Sequence, residues 1–62
     1  MKFQEYHHWS PILGEQAVRL SMFDARGQEF FEVIANPGGR AYREARDAAL
    51  NRIADKMEAI AA

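Results

Sequence analysis

Cysteine and threonine are absent from this chain of 62 residues, proline occurs twice, and glycine occurs four times. Without cysteine, neither a disulfide framework nor a thiolate zinc site can brace so short a chain, which leaves helix packing and oligomerisation as aids to stability. The hydroxyl nucleophiles reduce to Ser10 and Ser21. No base stands at a diagnostic spacing from either, so nucleophilic catalysis is not expected. A formal net charge of −1 gives no global attraction for nucleic acid or anionic lipid. No apolar run approaches the roughly 20 residues that span a bilayer. The opening Met1-Lys2-Phe3-Gln4-Glu5-Tyr6 has neither a secretory apolar core nor a transit-peptide composition. These absences lead us to expect a soluble, cytoplasmic, non-enzymatic protein with no cofactor, no metal and no membrane partner.

What is present is a single change in hydrophobic period at Asn36-Pro37-Gly38-Gly39. Before it, Val18, Leu20 and Met22 alternate with Arg19 and Ser21, and Phe31, Val33 and Ala35 alternate with Glu32 and Ile34. A period near two reads as strands, here over residues 17–23 and 28–35. After the switch, Tyr42, Ala45, Ala49, Ile53, Met57 and Ile60 recur at three and four, which reads as an amphipathic helix over 39–61. Residues 3–9 are rich in aromatics and histidine and stop at Ser10-Pro11, so they are a candidate third strand. The expected fold is therefore α+β: one small domain over 1–62, with an antiparallel β-hairpin or three-stranded sheet packed on one C-terminal helix.

Asp24-Ala25-Arg26-Gly27 supplies Asp at the first position of a type I turn and Gly where a left-handed residue is wanted. If the turn takes the three-residue form with a glycine bulge, Met22 faces Phe30, Leu20 faces Glu32 and Val18 faces Ile34. A slip by one residue pairs Leu20 with Phe31 and Arg19 with Glu32 and exchanges the two faces. In either register Phe30 and Phe31 point to opposite sides, and one helix cannot cover both. Asn36 can cap that helix and Pro37 suits its first position. About 22 helical residues span roughly 33 Å against about 27 Å for an eight-residue strand. Met57 and Ile60 should then overhang the hairpin.

Two clusters stand out. Arg40, Arg43 and Arg46 gather at the helix start, where the macrodipole favours anions over cations. Beside Gly38-Gly39 they are candidate phosphate-binding residues; the ordinary alternative is helix pairing of Arg40 with Glu44 and of Arg43 with Asp47. Arg46 falls within the apolar sector and must snorkel or pair with Glu32 or Glu29. His7-His8 beside Trp9 is the other cluster, but neighbouring strand residues point apart and make a poor ligand pair for one metal. Glu29 and Glu32 could serve as paired carboxylates, but the ordinary alternative is that they edge a strand, and a thin core offers no deep pocket to exclude water from them.

Residues 39–50, reading Gly-Arg-Ala-Tyr-Arg-Glu-Ala-Arg-Asp-Ala-Ala-Leu, resemble the last helix of double-stranded-RNA-binding domains. In that family the helix start lies against phosphates. The resemblance matches Arg43 and Arg46 to two basic positions and Ala45, Ala48 and Ala49 to the packing alanines, while Tyr42 replaces a basic residue. The N-terminal half departs from the family, lacking its first helix and its loop signature. A three-stranded sheet with one helix is also similar in outline to the sheet-reading DNA domains of some integrases, an analogy of fold alone.

The leading expectation is a small regulator or inhibitor, of the size and charge common among phage and mobile-element proteins. It would bind a protein partner, or a second copy of itself, through Trp9, Phe23, Phe30, Phe31, Met57 and Ile60, since aromatic anchors concentrate binding energy. The alternative is a nucleic-acid-binding module that contacts phosphates through Arg40, Arg43 and Arg46.

Overall fold

The computed structural model describes residues 2–12 and 14–61. Three strands, β1 (Gln4–Ser10), β2 (Glu15–Phe23) and β3 (Glu29–Ala35), precede one helix, α1 (Gly39–Ala61). They form an antiparallel sheet in the order β1-β2-β3, with α1 over β2 and β3 on one face. The fold is α+β, and the third strand exists.

The β2–β3 turn sets the register. Gly27 N–H donates to the Asp24 carbonyl at 3.0 Å, and Asp24 N–H donates to the Gln28 carbonyl at 3.1 Å. The Asp24 carboxylate accepts from the Arg26 and Gln28 amides at 2.9 and 2.8 Å. Gly27 has φ of +82°, a conformation that a side chain at Cβ would strain. The result is the glycine-bulge register, with Met22 opposite Phe30, Leu20 opposite Glu32 and Val18 opposite Ile34. The slipped pairing of Leu20 with Phe31 does not occur.

Val18, Leu20, Met22 and Phe30 meet Ala49, Leu50 and Ile53 of α1 in the core, with Ile34, Tyr42 and Met57 packed against it. Phe30 is only 8% exposed, so it belongs to this core and not to a binding surface. Met57 also packs on the core rather than overhanging it, because the hairpin turn reaches beneath the last turns of α1, where Asp24, Ala25, Arg26 and Gln28 share a hollow with Met57 and Ile60. Of that pair only Ile60 projects, at 65% exposure.

The start of α1 differs from the expected cap. The Asn36 side chain accepts from the Gly38 amide at 2.9 Å, closing a turn ahead of the helix, and the Gly38 carbonyl takes the first helical bond, from Tyr42 N–H at 3.2 Å. Gly38 and Gly39 both have positive φ, +83° and +59°, so the chain reverses through two left-handed residues and Pro37 stays outside the helix.

Candidate functional site

On the helix-side face, Glu5, Leu20 and Glu32 form one row across the three strands. Leu20 is fully buried, and the carboxylate on each side of it is held by an arginine of α1. Arg52 donates from Nε and Nη2 to both oxygens of Glu32 at 2.8–3.0 Å, with Lys56 at 4.0 Å. Arg46 reaches Glu5 at 3.5 Å and Asp47 at 3.4 Å. The expected pairing of Arg46 with Glu32 or Glu29 is thus replaced. Arg46 sits on the flank of the helix toward β1, while Arg52 and Lys56 sit on the flank toward β3.

The two clamps also set acidity. The hydrogen bonds from Arg52, with its charge and that of Lys56, hold the Glu32 carboxyl below the usual carboxylate value. His7, then Arg46, does the same for Glu5; His7 Nε2 lies 3.1 Å from the Glu5 carboxylate. Tyr42 lies against His7, with ring centroids 5.8 Å apart. Its phenol is pushed up first by burial and then by the neighbouring Glu5 carboxylate. A carboxylate whose folded pKa is depressed adds stability above its unfolded value, and that stability is lost as pH falls through the folded value. The clamps should therefore weaken below about pH 4.3, the unfolded carboxyl range. With Arg52 half-exposed, Glu32→Gln should cost on the order of 1 kcal/mol or less at pH 7 and flatten the acid limb of a urea-midpoint profile. An unchanged limb would show that the Glu32 pair contributes nothing.

Among the described residues, no helix or further strand covers the opposite face of the sheet. Its rows run Tyr6, Arg19, Val33; then Gln4, Ser21, Phe31; then His8, Ala17, Ala35. Tyr6 is 65% exposed, Phe23 and Phe31 are each 48% exposed, and Val33 is 47% exposed, whereas Ala17 and Ser21 between them are buried. Ala17 and Ser21 leave a shallow depression along β2, edged by Gln4, Tyr6 and His8 of β1 and by Phe31, Val33 and Ala35 of β3. Arg19 lies flat across it, its guanidinium 3.9 Å from the centre of the Phe31 ring, and donates to Glu29 at 2.9 Å. The Ser21 hydroxyl, then Arg19, lowers the Glu29 carboxyl. Tyr6 and His8 stack at 5.5 Å, with the His8 Nδ1 buried and unpartnered.

Of the six residues expected to bind protein, Phe23 and Phe31 share this open face. Trp9 is exposed but alternates onto the helix side of β1, and Ile60 stands at the far end of α1. Phe30 and Met57 belong with the core. Tyr6 and Val33 are not among the six; alternation with Phe31 along β3 places Val33 on this face, and a register for β1 is what places Tyr6, which pairs with Arg19. Glu29 lies on the open face and Glu32 on the helix face, so they are not paired carboxylates. His7 and His8 likewise part to opposite faces. Arg40 and Arg43 are exposed at the start of α1 and make neither of the expected helix pairs, whereas Arg46 is drawn away to Glu5. Among the described residues no helix is long and apolar enough to cross a membrane. Comparison with protein-family models, with curated proteins and with solved structures finds no match to this chain.

Proposed function

We propose that this protein is a small non-enzymatic interaction module, a regulator or inhibitor that presents the open face of its sheet to another polypeptide. The observation that carries the reading is the grouping of Tyr6, Phe23, Phe31 and Val33, each about half exposed or more, on one uncovered face. Contiguous exposed apolar surface of this kind marks interaction sites.

The sheet edges support the choice of the face. An inward-pointing charge on an edge strand discourages further strand pairing. Both edge strands carry one, Glu5 near the start of β1 and Glu32 at the middle of β3, each fixed by a helix arginine. The nucleic-acid alternative retains Arg40 and Arg43 at the helix start but loses Arg46 to Glu5.

Gel filtration of the tagged protein in nuclease-treated cell extract tests this reading. The wild type should elute well above its 7.1 kDa monomer, and Phe31→Glu should return it to the monomer position while Ile60→Glu does not. A monomeric wild type would contradict the reading. So would an assembly that nuclease abolishes and that Arg40→Ala with Arg43→Ala also abolishes, which would favour phosphate contact and should show steep salt dependence.

A further inference from the structure

We propose that the polypeptide seated on the open face is a second copy of this chain, stacked sheet against sheet; this rests on the reading of that face as the interaction surface. Three features of the molecule favour a copy of itself over a foreign partner.

Area is the first. The exposed fractions of Tyr6, Phe23, Phe31 and Val33 amount to roughly 400 Å² of apolar surface at the usual size of such side chains. Arg19 at the centre and Gln4, His8 and Glu29 around it extend the face toward the ~800 Å² per partner of a standard interface. Need is the second. Among the described residues only Leu20, Ile53 and Val18 are large side chains that are fully buried, so helix packing yields a thin core and oligomerisation is a further aid to stability. Burying the open face would turn a one-sided core into a two-sided one.

Complementarity is the third. The charges of the face, Arg19 near its centre and Glu29 at its end, already neutralise one another, so two like faces meet without repulsion. A two-fold axis across the strands, midway between the Arg19 and Ser21 rows, runs the stacked strands antiparallel. It sets Phe31, with the Arg19 guanidinium on its ring, over Val33 of the second copy, and Phe23 over the small Ala17. Large side chains then fall on smaller ones along the depression, and no like charges oppose at its centre. Stacked sheets at the usual spacing of about 10 Å interdigitate in this manner.

Sedimentation equilibrium of the purified full chain, from low to high micromolar concentration, tests the proposal. The wild type should move from 7.1 kDa toward twice that mass, and Ile60→Glu should follow it. Phe31→Glu should raise the dissociation constant tenfold or more, as expected for a central aromatic anchor. Val33→Lys serves as a second probe of the same face should circular dichroism show Phe31→Glu unfolded. A wild type that stays monomeric throughout overturns the second-copy proposal, as does dimerisation that neither substitution weakens. If the purified protein is monomeric while its assembly in extract is still lost with Phe31→Glu, the self-stacking proposal fails and the open face remains the interaction surface for a foreign chain. If neither purified protein nor extract shows a Phe31-dependent assembly, both readings fail.

Discussion

Leu20→Ala is expected to remove about 3 to 5 kcal/mol of stability, the upper part of the range for a buried leucine. Leu20 sits in the middle of the central strand, fully buried, in one cluster with Ala49, Leu50 and Ile53. The cost depends on how far the surroundings can close over the vacated space, and here the neighbours are pinned. Glu5 and Glu32 flank Leu20 on either side and are tied to α1 by Arg46 and Arg52. Collapse of the helix onto the gap would have to break those contacts. At about 0.05 to 0.15 kcal/mol per residue, a domain of this length has roughly 3 to 9 kcal/mol in total. The variant should therefore populate the unfolded state heavily at 25 °C, with a thermal midpoint lowered by more than about 15 °C if it folds at all. Thermal and urea melts followed by far-ultraviolet circular dichroism would measure this; a loss below about 1 kcal/mol would mean that Leu20 is not at the centre of the core.

Local signals proved readable and distant pairings did not. The hairpin turn was legible because its chemistry is confined to five residues: the Asp24 carboxylate satisfies two amides and Gly27 takes the left-handed position. The helix over 39–61 was legible because its apolar spacing repeats for several turns. The strand β1 was only a candidate, since Gln4–Ser10 has little apolar alternation and owes its conformation to pairing with β2. That uncertainty carried through to the site. The partner of Arg46 lies 41 residues away on β1, and Glu32, closer in sequence, belongs to Arg52. Asn36 is a good capping residue in isolation, yet two left-handed glycines shift the cap onward to Gly38. The open face was partly legible: Phe23 and Phe31 were named, but Tyr6 joins them only through the β1 register. Phe30 was misplaced because the two candidate registers put it on opposite faces.

Adjacent Phe30 and Phe31 therefore give the second large expected effect and the most direct test of the account, in which one face of the sheet is core and the other a binding surface. Phe30 is 8% exposed beneath α1, and Phe31, one residue on, is 48% exposed beneath only the Arg19 guanidinium. Phe30→Ala should cost about 3 to 5 kcal/mol at every protein concentration, the range for deleting a buried aromatic. Phe31→Ala should cost no more than about 1 kcal/mol in dilute protein, the value of an exposed cation–π contact. It should also abolish any rise in wild-type stability with concentration, since association stabilises by mass action. The measurement is urea unfolding of wild type, Phe30→Ala and Phe31→Ala in parallel at low and high protein concentration. A large loss for Phe30→Ala, with a small loss for Phe31→Ala that widens with concentration, is expected if one face is core and the other associates. Equal losses, or a greater loss for Phe31→Ala in dilute solution, would contradict that arrangement.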